Sequence, residues 1–135
     1  MIHYVTTQGL GQPWVGNELN VLQREGIPFV LHAMRPPEQK LFESEWATRL
    51  DRETRTIYPL PPAGLVLSIV AAPVLFRRRL LGAFLNAVFG ERESMRARVA
   101  TFAHLLVACH WARMNRKDRI SHVHAQWAQD RKSVV

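Results

Sequence analysis

A strand, a helix and a second strand follow one another within residues 2–34, and this succession constrains the fold more than any other feature of the chain. Ile2-His3-Tyr4-Val5-Thr6-Thr7 is rich in β-formers and runs into Gln8-Gly9-Leu10-Gly11-Gln12-Pro13, a loop punctuated by glycine. Val15, Leu19 and Leu22 then recur at helical spacing, Pro13 suits a first helical turn, and Gly26 sits where a helix C-terminal glycine belongs. Phe29 to Met34 is a second short apolar run, stopped by Arg35-Pro36-Pro37. Two such strands joined to a helix by brief connections favour a right-handed parallel βαβ crossover. The expected fold class is α/β, a parallel sheet flanked by helices. Its first βα loop lies at the carboxyl end of its strand, where open α/β sheets bind ligands.

The rest of the chain divides at its prolines. Residues 38–53 are mixed in charge and read as helical, and Thr54 to Tyr58 reads as a third short strand ended by Pro59-Leu60-Pro61-Pro62. Beyond that cluster, Gly64 to Phe76 and Leu80 to Phe89 are apolar runs separated by Arg77-Arg78-Arg79. Each is shorter than the roughly 20 residues of a membrane span, and Pro73 interrupts the first. A further helix is expected from about Ser94 to Asn115, with Val99, Phe102, Ala103, Leu106 and Val107 toward one face and basic residues at its end. Ile120 to Ala125 reads as a fourth strand. The division is then a βαβ portion over 1–62, a helical insert over 63–118, and the fourth strand with the start of another helix over 119–135.

Charge is unevenly placed along these parts. Residues 1–76 carry six Lys/Arg against seven Asp/Glu, whereas residues 77–119 carry ten against three. Such a basic segment can meet nucleic acid, anionic lipid or a phosphorylated ligand, or stand as a solvated face. A stripe of arginines between two apolar helical segments suits an anionic bilayer, which makes Arg77, Arg78 and Arg79 the candidate membrane contacts; packing of both segments on the sheet is the alternative. The single cysteine, Cys109, cannot form an internal disulfide and suits a reducing compartment, and the start of the chain lacks the pattern of a secretory signal, so a cytoplasmic location is expected.

The first loop could let a ligand's polar groups approach its backbone through Gly9 and Gly11, with a helix N-terminus behind it. Position 14 is tryptophan, so GxGxxG is incomplete, and a plain βα turn is the other reading. Near the other end stands HVHAQWA, residues 122–128. On a strand, His122 and His124 project to the same side. A zinc site needs three or four ligands, and no Cys or acidic residue accompanies the pair, so no metal is expected. Histidine at the edge of a parallel strand can instead bind a polar ligand or exchange a proton, and a buried hydrogen-bonded histidine is the structural alternative.

YVTTQGLGQPWVGNELNVLQREG, the apolar strand with RPP, the helical insert and then HVHAQWA together resemble the N-terminal, acceptor-side domain of family 4 retaining glycosyltransferases of the GT-B fold. The most specific parts are Asn17 and Glu18 in the first helix and the His122-x-His124-Ala125 strand, in the right order. The resemblance implies a Rossmann-like sheet forming part of one half of a GT-B fold. It implies transfer of a hexosyl unit from a nucleotide-sugar to a glycan or lipid-linked acceptor, as in polysaccharide biosynthesis, without cofactor or required metal and without nucleic acid as a partner. His124 would face the reacting sugar, hydrogen-bonding a hydroxyl or orienting the reacting groups. Gln8, Gly9, Gly11, Gln12, His122 and Gln126 would line the substrate cleft. Family members are about three times as long and bind the donor through a second domain with an acidic motif that these residues lack. The chain is therefore expected to be a truncated form, inactive by itself, with peripheral attachment to the inner face of the cell membrane. Two other classes predict different behaviour: a membrane-surface or interaction module without catalysis, or a nucleic-acid module using the arginines with Trp111 and Trp127.

Overall fold

The computed structural model describes residues 1–126. Trp127 and the expected start of a helix beyond it lie outside these described residues. The elements are β1 (Ile2–Thr6), a 3-10 turn (Gly9–Gly11), α1 (Pro13–Arg24), β2 (Phe29–Ala33), α2 (Glu45–Glu53), β3 (Arg55–Thr56), α3 (Pro62–Phe89), α4 (Met95–Met114) and β4 (His122–Ala125). Two compact units result, one of residues 1–59 with residues 118–126, the other of residues 60–117.

The first unit is α/β, with a Rossmann-like four-stranded sheet in the order β3-β2-β1-β4 and every pairing parallel. Register sets Tyr4 beside Leu31 on one side and His124 on the other, and places His32 beside Arg55. Successive strands step one way from β1 through β3, and the chain then returns to the opposite edge of β1. The order therefore reverses between β1 and β4, and crevices for ligands open at the carboxyl ends of strands at such a reversal.

Alternation along the strands explains the core. Tyr4 and Leu31 point to the same side, where Leu10, Val15, Leu19 and Ala47 close over them from the 3-10 turn, α1 and α2. Val15 and Leu19 are the expected stripe of α1, both fully buried, each contributing about 1.5–3 kcal/mol. Helix α1 stops where the glycine is: Gly26 has φ +66, its amide bonds to Gln23 O at 3.1 Å and Ile27 N bonds to Leu22 O at 2.9 Å. These are the paired bonds of a Schellman cap, whose left-handed residue glycine adopts without steric cost.

Several elements depart from expectation. Helix α2 begins at Glu45, not at 38: Ser44 is extended (φ −65, ψ 155), in keeping with the preference of serine for a helix boundary over its interior. Strands β3 and β4 are shorter than expected. β3 pairs only with His32 and Ala33, the end of β2, and β4 follows a turn in which Ile120 N bonds to Asp118 O at 2.9 Å.

The second unit is a helical pair. α3 runs through Pro73 and breaks at Arg77, where φ 45 and ψ −123 are far from helical. A side chain bearing a β-carbon in that conformation costs about 1–3 kcal/mol. Ser94 caps α4 by accepting the Ala97 amide at 3.1 Å. The buried side of α4 matches the expected one only in part, since Phe102, Leu106 and Val107 are half-buried. Val99 and Ala103 are exposed, while Phe102 meets Phe84 edge-on at 5.4 Å and Cys109 and His110 are buried, because packing on α3 selects the face. Ser68 holds the pair together: its hydroxyl donates to Gly64 O at 2.6 Å and accepts from Arg113 Nε at 2.7 Å. With that proton committed, His110 Nδ1, 3.0 Å from Ser68 Oγ, must be the donor. No helix among the described residues is long and apolar enough to cross a membrane.

Candidate functional site

Four side chains, from β1, α1, β4 and the residue that follows β4, meet where the strand order reverses. Tyr4 of β1 is buried, and its hydroxyl donates to the Glu18 carboxylate on α1. His124, the register partner of Tyr4, stacks on that ring with centroids 4.7 Å apart and planes inclined by 30°. Gln126 continues the β1–β4 ladder through its amide to Val5 O at 2.9 Å and donates from Nε2 to Glu18 Oε2 at 3.0 Å. The other Glu18 oxygen, Oε1, lies 3.8 Å from His124 Nε2, beyond hydrogen-bond length, so the two attract as an ion pair only when the imidazole is protonated.

An ionised carboxylate only accepts, so Glu18 fixes the orientation of the Gln126 amide. Its NH2 group faces Glu18, and Oε1 is left as a buried acceptor with no partner among the described residues. Gln12, at the start of α1, presents a second such acceptor, Oε1. Burial, then the bond to Glu18 and its charge, raise the Tyr4 phenol well above its ordinary range, so it stays a donor at every physiological pH. The partly exposed Glu18 carboxylate and His124 imidazole, with the Gln126 amide beside them, form a polar surface suited to hydroxyl and amide donors.

The first loop is closed on itself. Gly9 takes φ +56, is buried, and bonds its amide to Thr6 Oγ1 at 2.7 Å, while the Gly11 amide bonds to Gln8 O at 2.9 Å. Both glycine amides are thus engaged within the turn, flanked by the half-buried side chains of Gln8 and Gln12, the latter with its Oε1 buried. His122 is exposed opposite Ile2, the first residue of β1, with its ring 6.3 Å from that of His124. The structure therefore brings His124 and Gln126 together, puts Gln8 and Gln12 at the adjoining loop, and sets His122 nearer the amino end of the sheet. Arg77, Arg78 and Arg79 are exposed at the break in α3, in the other unit.

Glu18 carries this cluster, and sequence reasoning singles it out only within the Asn17–Glu18 pair of the resemblance. A second cluster had no sequence signal. On the other side of the sheet, His3 Nδ1 and His32 Nε2 lie 2.9 Å apart with the rings stacked, His3 Nε2 is 3.7 Å from Asp118 Oδ2, and Arg55 bonds to that carboxylate at 2.6 Å. One proton serves the short N···N contact, so the two rings cannot both be charged without setting donor against donor. Burial, then the neighbouring His3 and Arg55, bring His32 down to about 4, and burial also lowers His3 despite Asp118. The Arg55 hydrogen bond holds Asp118 below the usual carboxylate range. Among the described residues, no group of three or more His, Cys, Asp or Glu is arranged to hold a metal ion.

Compared with known proteins, the chain matches no family model, no curated protein and no solved structure.

Proposed function

We propose that the sheet unit is the acceptor-side part of a retaining glycosyltransferase, acting with a donor-binding unit to move a sugar from a nucleotide-sugar to a glycan or lipid-linked acceptor. The observation that carries this reading is the Glu18-centred cluster of Tyr4, His124 and Gln126 at the reversal of strand order. Sugars present many hydroxyl donors, and a partly exposed carboxylate and imidazole held in fixed directions accept them. In this reading His124 hydrogen-bonds a sugar hydroxyl or orients the reacting groups, and Glu18 positions the imidazole and the Gln126 amide. Gln8 and Gln12 extend the cleft.

NMR of the imidazole of His124 tests it directly. Titration with a nucleotide-sugar, and separately with free hexoses at millimolar concentration, is expected to shift the His124 ring signals. His124→Ala should weaken sugar binding, read at the Gln126 side-chain amide signals, roughly three- to tenfold, the worth of one hydrogen bond. Signals at His124 and Gln126 that stay unmoved by every sugar and nucleotide-sugar would refute the assignment.

Attachment to an anionic membrane surface is supported by a separate observation. Val66, Val70 and Val74 recur every fourth residue on α3 and are 60%, 69% and 74% exposed, and beyond Arg77, Arg78 and Arg79 comes Phe89 at 77%. Apolar side chains standing in water beside arginines match the boundary between headgroups and acyl chains. This reading places the chain in the cytoplasm, on the inner face of the cell membrane, and it stands without any sugar chemistry. Each arginine is worth about 1 kcal/mol at a phosphatidylserine surface, so replacing all three with glutamine should weaken vesicle binding roughly a hundredfold. Co-sedimentation with neutral and anionic vesicles checks this. Equal binding to both, unaffected by the triple substitution, would sink it.

A further inference from the structure

Within the helical unit lies a cavity of about 640 Å³ between the two stretches of α3 and α4, inside the size range of small-molecule sites. Its walls are hydrocarbon: Ile69, Leu81, Phe84, Phe102 and Leu106 contribute to them. Arg77 and Arg78 are the only charged residues among its lining. They are consecutive in the chain and both exposed, so the charge in the lining is confined to one point of the chain. That point is the break in α3, where Arg77 holds a backbone conformation with φ 45. A ligand matched to this lining is apolar along its length and anionic at one end.

We propose that this cavity binds a single-chain anionic amphiphile, an alkyl phosphate or a fatty carboxylate, with its hydrocarbon chain in the cavity and its headgroup on Arg77 and Arg78. Guanidinium donates to either headgroup in a planar, two-pronged geometry. Almost nothing polar lines the walls beyond these two residues, so chain length rather than hydrogen bonding sets affinity. The proposal goes beyond contact with a bilayer surface and does not depend on sugar transfer.

Titration calorimetry of the full chain, with amphiphiles kept below their micelle concentrations, separates cavity binding from adsorption to a bilayer. Dodecyl phosphate is the probe, with octyl phosphate, dodecanol and inorganic phosphate as comparisons. One equivalent of dodecyl phosphate should bind, each methylene removed should weaken binding by about fourfold, and inorganic phosphate should give no heat. Arg77→Gln/Arg78→Gln should cost about tenfold or more against dodecyl phosphate, while leaving dodecanol unchanged. Leu106→Trp should narrow the cavity and weaken binding of both, and because a core replacement can disturb folding, the exposed arginine pair provides the independent variant. Binding of dodecyl phosphate no tighter than that of dodecanol, or indifferent to chain length, overturns the proposal. Weakened monomer binding in Leu106→Trp with vesicle binding retained supports it and keeps the cavity distinct from the membrane surface.

Discussion

Lowering the pH from 7 to 4 is expected to cost the sheet unit about 3 kcal/mol through His32 alone, since its pKa falls from an ordinary 6.5 to about 4 on folding. In the unfolded chain the imidazole takes up a proton as the pH drops through 6.5, whereas in the folded chain it remains neutral until about 4. Between those values the unfolded state binds more protons, so stability declines steadily as acid is added and levels out below the folded pKa. His3 acts in the same direction, because burial lowers it too. The cause is geometric. Two fully buried rings share one proton across 2.9 Å, and a second proton there would set two donors face to face in a site that also receives the charge of Arg55. Urea denaturation at pH 7, 5.5 and 4, followed in parallel for the wild type and His32→Gln, measures the effect. The substituted amide can still bond to His3 but does not titrate, so its stability should vary less with pH by about 2–3 kcal/mol across the range. An unchanged slope would mean that the pair carries no linkage.

Glu18→Ala is expected to cost about 1–3 kcal/mol, although the residue is partly exposed, because it abandons a phenol that is not. Tyr4 is 1% exposed and its hydroxyl donates to Glu18, so truncation leaves a buried donor without its acceptor. The same change removes the partner of Gln126 Nε2 and the carboxylate beside His124. Glu18→Gln retains an acceptor for the phenol and should cost less. Tyr4→Phe removes the donor, and the double variant Tyr4→Phe/Glu18→Ala should be more stable than the sum of the single losses implies, by about 1 kcal/mol. Additive losses in that cycle would show that the bond is not what couples the two residues. The sugar-induced shift of the His124 signals should shrink in Glu18→Ala as well, which links stability to the proposed site in a single variant.

How much of this was legible in the sequence differs between elements. Strands β1 and β2 and helix α1 were legible almost to the residue, since Val15 and Leu19 keep the helical period, Gly26 ends the helix, and the flanking runs are β-rich. The bounds of α4, expected at about Ser94 and Asn115, were equally plain. Its buried face was not, because nearly every position from 99 to 109 could contribute apolar surface, and only packing on α3 chose among them. Helix α2 was overextended because charged residues at 38–43 are compatible with a helix without requiring one.

What the sequence determined by itself is what local chemistry determines: period-two and period-3.6 hydrophobicity, turns at glycine and proline, a basic stretch, and hence an α/β unit followed by apolar helices. Tertiary structure alone decided which residues became neighbours. Parallel register placed His124 on Tyr4 and let Glu18 reach from α1 across to Gln126, residues 108 positions apart. It also set His3 against His32, although nothing in either strand's own pattern distinguishes a histidine that faces solvent from one that faces another histidine. The physical reason is that periodicity reports which side of an element is apolar, whereas register and strand order emerge only when the elements bury those sides together, and every polar contact in the candidate site depends on that second step.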